Sequence, residues 1–214
     1  MLRILIADDH PIVRKGIRQI LEETKNIQSI DEASSGAEVL QKIAKARYDI
    51  VMLDISMPGM SGIDTLEEIK KSNPSLPVLI LSMYPEEEYA VRAIKAGASG
   101  YLTKKSAPEE MANAVRKIYR GERYISQNLA GILASTLMED SQRPLHETLS
   151  NREFQVMRLI VSGKSLKEIA AGMSLSPKTI STFRSRILQK LNMSSNAELI
   201  QYVIRNRLCE LPPE

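Results

Sequence analysis

Three carboxylates, one hydroxyl and one amine in this sequence could together form a reactive site. Asp8 and Asp9 follow the first apolar run of the chain, Asp54 and Ser82 follow two later runs, and Lys104 follows another. Carboxylates held close together repel one another unless a cation lies between them. Carboxylate oxygens suit Mg²⁺, which keeps several waters and accepts one or two carboxylates together with a phosphoryl oxygen. The set therefore predicts a magnesium site.

Each of these residues has a definite chemical use in such a site. Asp54 is placed as a nucleophile, since an aspartate can carry a phosphoryl group. Lys104 is a compact cation that balances charge, and Ser82 offers a hydroxyl to a bound oxygen. For any single aspartate, a helix cap or a loop position is the commoner explanation. The placement of the whole set at the ends of four different runs favours a functional site.

The apolar runs indicate the elements that position these groups. Between them lie amphipathic stretches with helical spacing, and continuous apolar strands that alternate with helices are typical of a parallel sheet covered on both faces. The polar residues then meet at the carboxyl ends of the strands. We predict a doubly wound α/β domain with a five-stranded parallel sheet, whose strands contain residues 4–7, 27–33, 50–53, 78–81 and 100–102.

The order and spacing of these motifs resemble the receiver domain of response regulators over roughly residues 1–120. The resemblance rests on Asp8-Asp9, on Asp54-Ile55-Ser56-Met57-Pro58-Gly59, on Ser82, and on Tyr101-Leu102-Thr103-Lys104. It implies that Asp54 accepts a phosphoryl group from a sensor histidine kinase. It also implies that Asp9, Asp54 and the backbone carbonyl of Ser56 hold Mg²⁺, with Asp8 acting directly or through water. Ser82 and Lys104 would contact the phosphoryl oxygens, and Tyr101 would turn inward when Ser82 moves toward them.

The last third of the chain differs in charge and in pattern. Residues 1–120 carry 17 basic and 17 acidic side chains, whereas residues 149–209 carry 10 and 3, a net charge of +7. Such an excess is expected of a nucleic-acid-binding surface, although a solvated basic face would look the same. From Leu149 onward the pattern is wholly helical. Ser150 to Glu153 and Ser165 to Glu168 are capping boxes, and Ser176-Pro177 begins a third helix.

This third helix has an apolar stripe of Ile180, Phe183, Ile187 and Leu191. The opposite face carries hydroxyls, an amide and cations, as a helix in the major groove of DNA requires. The segment from Leu149-Ser150-Asn151-Arg152-Glu153 through Ser176-Pro177-Lys178-Thr179-Ile180 resembles the LuxR-type helix-turn-helix. We predict that DNA is contacted by Lys178, Thr179, Ser181, Thr182, Ser185, Arg186, Gln189 and Lys190.

Together the two resemblances identify the chain as similar to the NarL/FixJ family of response regulators, with features of its GacA/UvrY branch. They imply a transcription factor that binds inverted repeats in double-stranded promoter DNA and dimerises when phosphorylated. Ser181 and Phe183 stand where many relatives have Lys and His. Ser181 removes a long side chain that could contact a base or a phosphate, so the DNA sequence typical of the family does not carry over to this chain. The expected domains are a receiver at 1–121, a linker with a helix from Gln127 to Met138 at 122–148, and a DNA-binding domain at 149–214.

A phosphatase and a receiver without DNA binding are the two alternative functions. A phosphatase with an aspartyl-phosphate intermediate usually has a second aspartate two residues after the nucleophile, but Ser56 occupies that position. A receiver that acts only through protein partners would not need the basic C-terminal region.

No segment reaches the ~20 apolar residues that a membrane span needs, and the single Cys209 fits a reducing compartment. We therefore expect a cytoplasmic protein without enzymatic turnover.

Overall fold

Five parallel strands form the sheet of the first unit, in the order β2-β1-β3-β4-β5. The structure, a computed structural model, describes residues 2–22, 27–138, 144–206 and 208. Every residue of β3 and β4 is buried, which explains why these strands are unbroken apolar runs in the sequence. The predicted α/β fold class is confirmed. The strands are β1 (Leu2–Ala7), β2 (Ile27–Ala33), β3 (Ile50–Asp54), β4 (Val78–Ser82) and β5 (Gly100–Thr103).

Each strand of this sheet is followed by a helix. The helices are α1 (Pro11–Glu22), α2 (Gly36–Lys45), α3 (Gly62–Ser72), α4 (Glu86–Lys95) and α5 (Pro108–Tyr119). Ile17 and Leu21 of α1 and Val115 and Ile118 of α5 pack in one cluster with the strand side chains. Gly62 lets α3 begin against the end of β3, since a Cβ there would lie 2.0 Å from the carbonyl oxygen of Asp54. The backbone at Asp54 is therefore held tightly by its surroundings.

The first unit continues past the expected end of the receiver. The chain divides into Met1–Leu133 and Ala134–Glu214, so helix α6 (Gln127–Met138), predicted with these same bounds, begins in the first unit. The hydroxyl of Ser126 donates to the carboxylate of Glu86 on α4, at 2.7 and 2.8 Å to its two oxygens, and accepts from the amide of Leu129 at 3.0 Å. The beginning of the expected linker at 122–148 therefore belongs to the first unit and contacts α4.

The second unit is helical throughout its described residues. It contains a 3₁₀ turn (Leu145–Thr148) and the helices α7 (Asn151–Val161), α8 (Leu166–Gly172), α9 (Pro177–Lys190) and α10 (Asn196–Arg205). Both predicted capping boxes are present, from Ser150 with Glu153 and from Ser165 with Glu168. Helix α8 ends at Gly172 as expected, but the left-handed residue of the turn that follows is Ser174, with φ of 54°.

Buried side chains from three of these helices form the core of the second unit. Phe154 and Met157 of α7, Ile180 and Ile187 of α9, and Leu199 of α10 are at most 1% exposed. The hydroxyl of Tyr202 on α10 accepts from the backbone N–H of His146 at 3.2 Å, which joins the 3₁₀ turn to this unit. Among the described residues, no helix is both long and apolar enough to cross a membrane.

The start of α6 provides a test of how firmly it is attached to α4. Ser126→Ala removes the cap of α6 and the hydrogen bonds to Glu86 together. Loss of a helix cap costs about 1 kcal/mol, so the amide of Leu129 should exchange with deuterium roughly fivefold faster. Ser126→Thr keeps the hydroxyl and is the matched control. If Leu129 exchanged at the wild-type rate in Ser126→Ala, the proposed anchoring of α6 by this hydroxyl would be wrong.

Candidate functional site

The predicted carboxylates and amine meet at the carboxyl edge of the sheet. Asp8 follows β1, Asp54 ends the neighbouring β3, and Lys104 follows β5. The Nζ atom of Lys104 lies 2.6 Å from Asp8 Oδ2 and 2.9 Å from Asp54 Oδ2. The exposed fractions of these side chains are 9% for Lys104, 1% for Asp8 and 3% for Asp54. One buried cation is therefore shared between two buried anions.

The charges of this cluster perturb one another. Burial raises the pKa of the Asp54 carboxyl above its ordinary value, against the opposing effect of Lys104. Burial also disfavours the charged form of Lys104, but Asp54 and Asp8 outweigh it and raise the pKa of this amine. Lys104 thus stays protonated. Burial of charged carboxylates beside each other is unfavourable, and a further cation would reduce this unfavourable energy.

Asp9 and His10 extend the cluster toward solvent. His10 Nδ1 lies 2.7 Å from Asp9 Oδ1, and the backbone N–H of His10 donates to Asp8 Oδ1 at 2.9 Å. The ligand atoms of Asp8, Asp9 and His10 all lie within 4.8 Å of one another. His10 was missed in the sequence analysis, although its position directly after Asp9 is a signal that could have shown it.

The carboxylates of Asp8 and Asp9 fit a small, hard cation, whereas the group of described ligand atoms within 4.8 Å of one another does not include Asp54. Asp8 Oδ2, Asp9 Oδ1 and Asp54 Oδ2 are buried and, apart from their contacts with Lys104 and His10, accept no hydrogen bond in the described part of the chain. Buried carboxylate oxygens in this condition are suitable Mg²⁺ ligands. The backbone of Ser56, two residues after Asp54, slightly opposes the rise that burial causes in the pKa of the Asp54 carboxyl.

Ser82 and Tyr101 both contact Tyr84, in the loop between β4 and α4. Ser82 Oγ accepts the backbone N–H of Tyr84 at 3.0 Å, and Tyr101 Oη donates to the carbonyl of Tyr84 at 2.9 Å. Both side chains are fully buried. The carbonyl of Ser82 accepts the backbone N–H of Lys104 at 2.7 Å, so the hydroxyl, the tyrosine and the lysine are connected through one strand end.

Most of the predicted DNA-contacting residues form one exposed face of α9. Thr179 is half-buried beside the cap, where its hydroxyl lies 2.8 Å from Ser176 Oγ. The hydroxyls of Thr182 and Ser185 donate to the carbonyls of Lys178 and Ser181, at 3.0 and 3.1 Å. Side chains that are exposed on α9 include Lys178, Ser181, Thr182, Ser185, Arg186, Gln189 and Lys190.

Lys190 and Arg184 of α9 bind residues on other elements of the second unit. Lys190 Nζ lies 2.6 Å from the buried Glu153 carboxylate and 3.2 Å from the carbonyl of Thr148, so it ties α9 to the start of α7. Burial opposes ionisation of Glu153, but Lys190 and the cap of Ser150 outweigh it and lower the pKa of this carboxyl. Arg184 donates to Asn196 at 2.8 Å.

Two parts of the chain match known protein families. Residues 4–116 match the response regulator receiver domain, and residues 147–203 match the bacterial regulatory proteins of the luxR family. The chain belongs to the response regulators. Because a receiver is joined to a luxR-type domain, the expected membership in the NarL/FixJ family and the function of a DNA-binding transcription regulator are confirmed.

Relatives of this response regulator align over nearly its whole length. Response regulator UvrY of Escherichia coli K12 is 37% identical, with 98% of this chain and 96% of that protein covered. Oxygen regulatory protein NreC of Staphylococcus carnosus is 35% identical, with coverages of 98% and 100%. The structure of RcsB from Salmonella enterica serovar Typhimurium bound to promoter rprA is 28% identical with a TM-score of 0.65, covering 95% of this chain and 99% of RcsB.

Lys104 provides a direct test of the charge balance in the pocket. Lys104→Met leaves two buried carboxylates without their cation, and breaking a buried ion pair in this way costs about 3 kcal/mol or more. Urea unfolding in metal-free buffer should show this loss, and excess Mg²⁺ should recover part of it. Lys105→Met, at the exposed neighbouring position, is the control. Equal stability of the two variants would contradict the shared ion pair.

Proposed function

We propose that this response regulator is switched by transfer of a phosphoryl group from a sensor histidine kinase to Asp54. A phosphorus–oxygen bond would form at the carboxylate of Asp54 as the phosphorus–nitrogen bond of the kinase phosphohistidine breaks. The observation that carries the proposal is the buried Asp54 carboxylate, 2.9 Å from the Lys104 amine. Burial raises the pKa of Asp54 by disfavouring its charged form, and a neighbouring cation would favour that charged form.

Magnesium would be held in this pocket by Asp8, Asp9, Asp54 and the backbone carbonyl of Ser56. The ion supplies positive charge that offsets the phosphoryl oxygens and the carboxylates. Lys104 remains protonated and neutralises one phosphoryl oxygen, while the hydroxyl of Ser82 donates to another. Asp8 is buried beside Lys104, whereas Asp9 is partly exposed, so Asp9 is the more accessible ligand.

The phosphoryl group would change the contacts of the loop after β4. Ser82 Oγ accepts from Tyr84 in the structure, and movement of this hydroxyl toward a phosphoryl oxygen would break that bond. Tyr101 contacts the carbonyl of the same residue and would follow the loop. A local change of this kind acts on the whole protein only by favouring one of two conformations that already exist.

Enzymatic turnover on outside substrates is not part of the proposed function. A second carboxylate two residues after Asp54 would be needed as a general acid, and Ser56 has only a hydroxyl there, 3.5 Å from the hydroxyl of Tyr84. We therefore assign Asp54 a regulatory phosphoryl group. A DNA-binding regulator controlled by this group acts in the cytoplasm.

The output is binding to promoter DNA by α9. RcsB, a structural neighbour, has been determined bound to promoter DNA in the presence of a phosphomimetic, and its fold matches this chain over 95% of the length. Phosphorylation would favour a two-fold dimer, which places two copies of α9 on two half-sites and selects an imperfect inverted repeat. We assign the phosphoacceptor function to residues 1–121 and DNA binding to residues 149–214.

The phosphoacceptor is tested by mass. Wild-type protein incubated with Mg²⁺ and acetyl phosphate should gain one phosphoryl group, whereas Asp54→Asn should gain none, because an amide cannot form the acyl phosphate. Asp49→Asn, which changes an exposed aspartate just before β3, should label like the wild type. Intact-mass spectrometry measures all three, and undiminished labelling of Asp54→Asn would refute the assignment.

The DNA-binding face is tested by a matched pair of arginines. Arg186 is exposed on α9, whereas Arg184 is bound to Asn196. If Arg186 contacts a phosphate, Arg186→Ala should weaken binding to all sequences similarly and flatten the slope of log K against log salt by about one unit. Arg184→Ala should leave this slope unchanged. A changed sequence preference with an unchanged slope for Arg186→Ala would mean that Arg186 contacts bases instead.

A further inference from the structure

Arg14 on α1 is bound directly to the turn that carries the two adjacent aspartates. Its Nη1 atom donates to the backbone carbonyl of Asp8 at 2.7 Å, and its Nε atom donates to Glu32 Oε2 on β2 at 2.9 Å. Only 15% of the Arg14 side chain is exposed. The guanidinium therefore joins the turn after β1 to the edge strand of the sheet in a fixed geometry.

The carbonyl that Arg14 binds controls the direction of Asp9. The carbonyl of Asp8 and the N–H of Asp9 belong to one planar peptide group, so fixing this oxygen fixes the plane from which the Asp9 side chain extends. The preceding peptide is also held, because the N–H of Asp8 donates to the carbonyl of Ala33 at 3.1 Å. Asp8 Oδ1 in turn accepts the N–H of His10 at 2.9 Å.

A second arginine has the same anionic partner without the contact to the turn. Arg18 Nε and Nη2 donate to Glu32 Oε1 at 2.9 and 2.8 Å, and Nη2 also donates to the carbonyl of Ile30. Arg14 and Arg18 together lower the pKa of the Glu32 carboxyl, so Glu32 is an anion between two cations. Arg14 and Arg18 therefore bind different backbone carbonyls, and Arg18 also lies 3.8 Å from the exposed Glu22 carboxylate.

We infer that Arg14 is a positioning residue for the metal-binding aspartates, an inference that rests on the proposed function of the pocket. Two effects of removing Arg14 have opposite signs. Loss of a nearby positive charge would strengthen binding of a divalent cation through Coulomb interaction. Loss of the fixed peptide plane would weaken it, and the removal of groups that orient metal ligands typically costs 10- to 100-fold in affinity. The direction of the change therefore separates positioning from simple electrostatics.

The experiment is a calorimetric titration of the full chain with Mg²⁺. Arg14→Ala should bind Mg²⁺ about tenfold more weakly than the wild type. Arg18→Ala removes an equal charge from the same glutamate and should bind within about twofold of the wild type, or slightly more tightly. Asp9→Ala removes a proposed ligand and should bind most weakly. Circular dichroism of each variant checks the fold.

The outcomes separate this inference from the function on which it rests. If wild type bound Mg²⁺ and Asp9→Ala did not, but Arg14→Ala matched Arg18→Ala, Arg14 would have no positioning role. If wild type bound no Mg²⁺, or Asp9→Ala bound it as well as wild type, the proposed metal site itself would be wrong. Should Arg14→Ala unfold, Arg14→Lys against Arg18→Lys decides. Lysine lacks the planar guanidinium fork that fixes the directions of the two Arg14 bonds, so Arg14→Lys should weaken binding roughly threefold.

Discussion

The ion pairs of Lys104 with Asp8 and Asp54 are the interaction on which the carboxyl edge of the sheet depends. Two buried carboxylates at the ends of neighbouring strands repel each other, and a protonated amine between them offsets that repulsion. Lys104 can reach them because β5 lies beside β4 and its own N–H is bound to the carbonyl of Ser82. A single strand end thus places the cation, and the same strand end fixes Ser82 next to it.

Much of this arrangement is predictable from the sequence because buried parallel strands are unbroken apolar runs and the polar residues follow them directly. The spacing of Asp8, Asp54 and Lys104 places all three at one edge once the strands are assigned. Arg14 is not predictable in this way, since its contacts depend on the direction of the Asp8 carbonyl and on Glu32 of another strand. The membership of Ser126 in the first unit depends on Glu86, 40 residues away, and no local pattern shows that pairing.

The second unit shows a similar contrast between pattern and contact. Capping boxes are local motifs, so Ser150 with Glu153 and Ser165 with Glu168 could be found from residue types alone. The exposed face of α9 also follows from helical spacing. Lys190, however, has a buried partner in Glu153, and this ion pair across 37 residues joins α9 to α7.

The separation of the pocket residues along the chain has a consequence for biosynthesis. Asp8 and Asp54 leave the ribosome well before Lys104, which lies beyond the fourth strand-helix unit. Until β5 has been made and has joined β4, the two aspartates lack their cation and the loop after β4 lacks Tyr101. A nascent chain therefore cannot assemble this charge-balanced pocket before β5 and Lys104 have been translated.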